Sequence, residues 1–548
     1  MAIFGAHNIK RLTGSWAPVQ WILCASLIAP MAFIAFAAFG DNQGVFRHLL
    51  HTVLSRYILN TLTLMVGVGL VALLFGISTS WLVTRYRFFG SRTLSWLLIL
   101  PLAMPAYIIA YAYTDFLEYA GPLQTMLRDI FGWQSARDYW FFEIRSRAGA
   151  IIIMGAVLYP YIYILARTAF RQTSRRLFEV ARMSGQNMFQ AVGLPLARPA
   201  IIAGLSLVLM EVLSDFGTVE YFGIETLTLG IFNVWLGMNN MPAAAQLALI
   251  AFVFILALLI IEKWARQGRS FENTAGSARG VPEYQLTGVK AAGAFLWCII
   301  PVSLGFFIPV AILAEFLVDG VDIYTLSRLP QLIYQSLLVA GSTAILVLLL
   351  SVLIALLTAF QPRRFEASLA GLSATGYAFP GTILALGVLY FVTQIETVWQ
   401  SFGEMMGITM PNLIVGTIGV LILGYLVRFQ AVGYGAITAG LARMPADMMP
   451  ASRSLGHGFV MSVRRVILPL LRPSMIAAIL LVFVDVMKEL PLTLLLRPFN
   501  FETFATFTYQ FANEEMLETA GLPALLIVLV GLLPLLIANQ TLLRQSDR

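Results

Sequence analysis

Four acidic residues stand where acids are costly. Glu211 and Asp215 close one long apolar run, Asp485 and Glu489 close another, and the two pairs lie 274 residues apart. A spacing of four puts both carboxylates of a pair on one helix face. An ionisable group inside a membrane helix costs at least about 2.5–3.5 kcal/mol, so it calls for a partner or a function. Two such pairs around a shared axis would offer four oxygen donors to a hard cation. A plainer reading stays open. Asp485 can pair with Lys488 three residues on, and the acids can simply mark the outer ends of their helices.

Other chemistry is poorly supplied. The four lysines, Lys10, Lys263, Lys290 and Lys488, follow Ile9, Glu262, Val289 and Met487, so no phosphate-cradling G-x-x-x-x-G-K-[ST] loop exists here. His7, His48, His51 and His457 fall in tails and loops without a metalloprotease spacing. Cys24 and Cys298 each sit in an apolar run and read as packing residues, so no bound structural metal is expected. The chain reads as a non-enzyme that binds no cofactor of its own.

The elements that must position these acids are membrane helices. Hydrophobic residues make up 59% of the 548 and charged ones 11%, against about 45–50% and about 25% in soluble domains. Mean hydropathy is +0.82. Runs of roughly 20 apolar residues number twelve. The third spans Leu94–Tyr113, the fifth Ala200–Ser214, the tenth Asn412–Val427 and the eleventh Ser474–Met487. The first, Pro18–Phe39, follows Lys10 and Arg11 but is too long for a signal-peptide core, and reads as a retained helix.

The positive charge is distributed by side. Alternate loops, starting with the N-terminus, hold 26 of the 35 Lys and Arg residues, which predicts cytoplasmic termini. Only four of those 35 are Lys, and they sit in short loops, so the net charge of +7 carries no nucleic-acid signature.

The chain also repeats. Pro105 matches Pro380, and Leu194, Pro195, Arg198 and Pro199 match Leu468, Pro469, Arg472 and Pro473. This divides it into a first repeat, 1–262, a polar cytoplasmic linker, 263–290, and a second repeat, 291–548. With six spans each, both repeats insert the same way up, about an axis along the membrane normal.

One inner loop in each half is long. Arg167–Pro199 and Arg428–Pro473 each allow a short amphipathic helix, a glycine break and a second helix that begins at Leu-Pro. The pattern resembles the EAA loop of the membrane subunits of binding-protein-dependent ABC importers. In the first loop Glu179, Ala181, Gly185 and Pro195 match, with Val180 in place of the first Ala and a Gly-to-Pro stretch three residues short. In the second, Ala451, Gly456, Val466, Leu468 and Pro469 match, while Pro450 and Ser452 replace the Glu and the second Ala. Two further stretches, 213–232 and 485–506, resemble fused ferric-iron importer permeases, with thiamine permeases as close relatives.

That resemblance implies an all-α membrane protein of about 12 transmembrane helices in two tandem six-helix permease repeats, the MetI-like type I importer fold. It implies two copies of a cytoplasmic ABC ATPase, which carry the ATP and Mg and grip the two loops. It also implies a periplasmic substrate-binding protein and residence in a bacterial inner membrane. The acid pairs would then line the path of ferric iron. Glu220 and Glu225, in the next outer segment, read as docking residues, with Tyr221 and Phe222 as interface anchors. Rival readings are an ion-coupled secondary transporter, the same architecture moving thiamine or another small solute, and a scaffold without transport.

Overall fold

A computed structural model describes residues 16–266, 284–318, 323–360, 364–445, 448–454, 456 and 458–546. His7, Lys10, Arg11, His457 and most of the expected linker, 267–283, lie outside the described residues. The protein is helical almost throughout. Lipid offers backbone groups no hydrogen bonds, so spanning segments must satisfy them internally. Among the described residues eleven helices are long and apolar enough to cross a membrane, and a twelfth span forms if Ser91–Ala103 and Ala106–Phe131 are taken together across a 92° bend.

That broken third span has a local cause. A 3-10 turn, Leu100–Ala103, precedes Pro105, which has no N–H to continue a ladder and caps the helix Ala106–Leu117. The repeat shows the same construction. Arg364–Ser373, a 3-10 turn Gly376–Ala378 and Pro380 precede the helix Gly381–Met405.

Several expected spans shift, among them the eighth, which begins earlier at Ile323, and the ninth, which moves to Gly381–Met405. The fifth and eleventh begin earlier, as Phe189–Ser214 and Val460–Met487. The tenth moves to Ile418–Ala442. Its inner end carries Gln430, Gly433 and Thr438, small or polar residues that read as loop. Gln430 is fully buried, with Ser351 Oγ 3.3 Å from its Oε1. Arg428, counted among the loop charges, is therefore a buried residue in mid-helix.

The helices pack into two compact units that do not follow the sequence halves. One unit comprises residues 44–233, 250–327 and 507–548. Its centre is Leu54–Arg85 against Arg147–Gln172 and Leu194–Ser214. Small residues permit the close approach usual between membrane helices. A Cβ on Gly76 would lie 2.7 Å from Ile162, and one on Gly204 2.8 Å from the Ile162 backbone. A two-residue parallel ladder pairs Tyr86–Arg87 with Tyr284–Gln285, fastening the end of the linker region to the helix Leu54–Arg85.

The other unit comprises residues 1–43, 234–249 and 328–506. Here the first helix, Ala17–Ala38, packs along Gly381–Met405, with Phe33 and Phe391 ring centres 5.2 Å apart. Gln20 Nε2 donates to Thr358 Oγ1 at 2.9 Å and to Glu366 O at 3.2 Å. Leu348, Ala355, Leu356, Ile437, Ile467, Leu471 and Ala478 form a buried cluster in it.

Candidate functional site

The first inner loop is built on the helix Arg175–Met183, which ends in a glycine cap. Gly185 takes φ +67°, its N–H donates to Arg182 O at 3.1 Å, and Gln186 N–H donates to Ala181 O at 2.9 Å. This is a Schellman closure, whose left-handed residue suits glycine because a Cβ would be strained there. Asn187 Oδ1 then accepts from Phe189 N–H at 2.9 Å. A π-helical turn, Phe189–Gly193, follows, with Leu194 N–H donating to Phe189 O. The helix Leu194–Ser214 begins there with Pro195 in its first turn, where a missing N–H costs little.

The loop helix has two faces. Phe178 and Ala181 point inward and are buried. The Arg85 guanidinium lies 3.9 Å from the Phe178 ring centre, 5.4 Å from Trp81 and 5.5 Å from Tyr284. Trp81 in turn meets Phe170 and Phe189 edge-on at 5.2 and 5.0 Å. The opposite face presents Leu177, Val180 and Met183, which are 45%, 60% and 88% exposed, beside the exposed Glu179.

The second loop repeats the plan. The helix Met448–Ser454 carries Ala451 on its exposed side and is followed by Gly456 at φ +83°. A π-helical turn, Val463–Ile467, leads into Leu468–Met487, again with Pro469 in the first turn. The two π turns stand 274 residues apart and the two glycines 271 apart. The three extra residues are absorbed by a short helix, Phe459–Ser462, tied back by a 2.8 Å hydrogen bond between Ser452 and Ser462. Val460 and Met461 are exposed.

At their ends away from these loops both long helices turn through an acid-capped elbow. Asp215 follows Leu194–Ser214 and precedes the short helix Gly217–Tyr221. Its Oδ1 accepts from Thr218 N–H at 3.0 Å and Val219 N–H at 3.2 Å, and its Oδ2 accepts from Thr218 Oγ1 at 3.0 Å. Glu489 does the same for Pro491–Leu496, with Oε2 accepting from Leu492 N–H at 3.1 Å and Thr493 N–H at 3.3 Å. Each carboxylate thus satisfies amide donors that a helix start leaves open.

Around Glu489 the elbow is also charge-paired. Arg428 Nε lies 3.7 Å from Glu489 Oε1, and Arg428 Nη1 donates to Phe379 O at 3.2 Å. Tyr425 and Thr493 hydroxyls are 2.5 Å apart. Gly381 eases this crowding, since a Cβ there would lie 2.8 Å from Glu489 Oε1 and 3.0 Å from Arg428 Nη1.

One turn before the elbows, Asp485 pairs with Lys488 at 2.8 Å, while Glu211 is half-buried. Among the described residues no group of three or more His, Cys, Asp or Glu is placed to hold a metal ion. Tyr221 and Phe222, expected as interface anchors, are buried at 8% and 6% exposure because their short helix folds back into the protein. Glu225 pairs with Arg56.

Sequence reasoning missed Arg428, Tyr425, Thr218 and Thr493. A signal for the first elbow was present in Asp215, a residue type favoured at helix starts, whereas Glu489 gave none. Arg85 and Trp81, which seat the first loop, gave no such signal.

Residues 72–270 match the family described as the inner membrane component of binding-protein-dependent transport systems. The chain is 24% identical over 498 residues to an Fe(3+)-transport system permease protein of Haemophilus influenzae, covering 88% of this chain and 89% of the relative. It is 24% identical over 513 residues to a ferric transport system permease protein of Actinobacillus pleuropneumoniae, covering 87% and 70%. A molybdenum transport system permease protein of Escherichia coli is 26% identical over 204 residues, covering 36% of this chain and 86% of the relative.

Proposed function

We propose that the whole chain is the permease of an ATP-driven importer of ferric iron, a reading supported by the match of residues 72–270 to the family described as the inner membrane component of binding-protein-dependent transport systems. The observation that carries this reading is the matched pair of loops. Each sets a short helix, a left-handed glycine and a π-helical turn ahead of a long membrane helix that begins at Leu-Pro.

Leu177, Val180 and Met183, like Val460 and Met461, expose apolar surface on these loops. An apolar stripe on a short helix is suited to a groove on a partner. Two ATPase subunits would each grip one loop, the first through the Glu179–Pro195 segment and the second through the Pro450–Pro469 segment. ATP and Mg reside on those partners, because this chain has no phosphate-binding loop. The grip of the ATPases then moves two like-oriented repeats, 1–262 and 291–548, between inward- and outward-open arrangements. Both termini face the cytoplasm, and a periplasmic binding protein delivers substrate to the outer loops.

Iron is favoured as cargo because the relatives matched along 87–88% of the chain carry ferric transport in their names, whereas the molybdenum relative covers 36%. Glu211, Asp215, Asp485 and Glu489 flank the route, with Asp215 and Glu489 shaping the outer elbows and Glu211 and Asp485 one turn deeper.

The test is uptake of radiolabelled ferric iron into proteoliposomes that hold this chain, with ATPase and binding protein supplied and then omitted singly. Uptake is expected only with all three present. Uptake driven by an ion gradient without the ATPase would overturn the reading in favour of a secondary transporter, and transport of thiamine instead would overturn the cargo.

A further inference from the structure

A second group of oxygen donors lies in the unit that holds Asp215, away from both loops. Glu220, on the short helix Gly217–Tyr221, accepts a short hydrogen bond from the Tyr509 hydroxyl. The ring of Tyr111, on Ala106–Leu117, packs edge-on against Tyr221 with centres 4.4 Å apart. Tyr111 is 2% exposed, and its hydroxyl has no hydrogen-bond partner. The non-polar part of Tyr111 borders a small apolar cavity beside Thr508, whose buried hydroxyl is likewise without a partner. Thr114, one turn on from Tyr111, carries a third such hydroxyl.

Buried polar groups are nearly always hydrogen-bonded, so an orphaned phenol asks for an explanation. Tyr221, next to Glu220, carries the Tyr111 ring against it, and Tyr111 lies close enough to Glu220 and Tyr509 to interact with them electrostatically; by the distribution of Lys and Arg all three segments lie toward the outer side, where substrate arrives. The rim is closed by Arg145, which sits 4.9 Å over the Tyr221 ring and is itself met by Glu118 and Glu515.

We propose that Glu220, Tyr509 and Tyr111 form an entrance site that binds ferric iron transiently on its way into the permease. The idea rests on the ferric reading of the chain. Fe(III) is a hard cation that selects anionic oxygen donors, and one carboxylate with two phenols supplies them. While the site is empty the phenols are neutral, so only Glu220 carries the cost of a half-buried charge. A bound cation reverses that balance by stabilising the deprotonated ligand. Each phenol that binds the ion releases its proton to water, and binding therefore weakens as pH falls. The site can fill only when an ion arrives and can empty by regaining protons, as a relay must.

Ferric nitrilotriacetate titrated into the full chain in lipid nanodiscs tests the site directly. A visible phenolate-to-iron charge-transfer band is expected in the wild type. Tyr111→Phe and Tyr509→Phe should each weaken it at least tenfold, since even outer partners of a metal site are worth roughly tenfold in affinity. Tyr111→Phe is the sharpest variant. It removes a hydroxyl that makes no hydrogen bond, so a purely structural tyrosine would be unaffected or stabilised.

Tyr113→Phe, which breaks a 2.8 Å bond to Leu304 O, serves as the control and should keep the band. A wild type without the band, or a band that survives both Tyr111→Phe and Tyr509→Phe, would overturn the site. Iron uptake by the reconstituted wild type is scored separately. Normal uptake by Tyr111→Phe sinks the site and leaves the importer standing, whereas a band that tracks Tyr111 without any iron uptake sinks the importer and leaves the site.

Discussion

The two elbows are built alike and balanced differently. At Asp215 and at Glu489 a carboxylate caps a short helix through the amides three and four residues on, and Phe216 and Leu490 before those helices adopt nearly the same backbone angles. Around Glu489 stand Arg428, the Tyr425–Thr493 hydroxyl pair and a glycine at 381 that makes room. Around Asp215 no basic side chain among the described residues is paired with it. The helices Arg147–Gln172 and Ile418–Ala442 start 271 residues apart, as the two loop glycines do, which puts Val157 where Arg428 stands. Ala106 follows Pro105 where Gly381 follows Pro380. Duplication has preserved the backbone device and let the charge balance diverge. The second elbow is a locked joint, and the first is held by hydrogen bonds alone.

Removing one partner of the lock has the largest expected effect. Arg428→Met leaves Glu489 buried without a counter-charge, and breaking a buried pair in this way costs about 3–5 kcal/mol. Thermal unfolding of the purified chain should show that loss. Replacing Arg428 and Glu489 together with apolar residues should recover most of it, because a buried pair exchanged as a whole is close to neutral. A double variant no better than the single one would mean that Arg428 is not there for Glu489.

Gly381→Ala comes next. Its methyl group would press on Glu489, Arg428 and Pro491 at 2.8–3.0 Å, and overpacking of this kind costs about 1–3 kcal/mol. The first elbow already carries Ala106 at this position. If Gly381→Ala unfolds at the wild-type temperature, the crowding around the lock is softer than its distances indicate, and the contrast between the elbows weakens.

Much of this arrangement was legible in the residues alone, for reasons that differ by feature. Lipid demands long apolar runs, so twelve spans could be counted without reference to packing. The loop glycines could be read because a left-handed cap tolerates little else, and Gly185 and Gly456 both adopt it. Arg428 could not be placed, because Gln430, Gly433 and Thr438 make the buried end of its helix look like loop. The association of Ala17–Ala38 with Gly381–Met405 was equally hidden. Helix periodicity tells which face is buried and not which helix covers it. The capping role of Asp215 could be read from its residue type, which is favoured at helix starts, but its place at the end of an apolar run drew the reading toward cargo.

The smallest structural effect is also the one that separates cap from cargo. Asn caps a helix about as well as Asp, so Asp215→Asn should cost at most a few tenths of a kcal/mol and leave assembly with an ATPase intact. It removes the charge while keeping an oxygen for Thr218 and Val219. Glu489→Gln cannot make this distinction, because it also strands Arg428. If Asp215→Asn folds and assembles normally yet loses iron uptake in proteoliposomes, the charge itself serves the route. If uptake is unchanged, Asp215 is a cap and nothing more, and the cation must meet its oxygens elsewhere, at Glu211 one turn deeper or at the phenols nearer the surface.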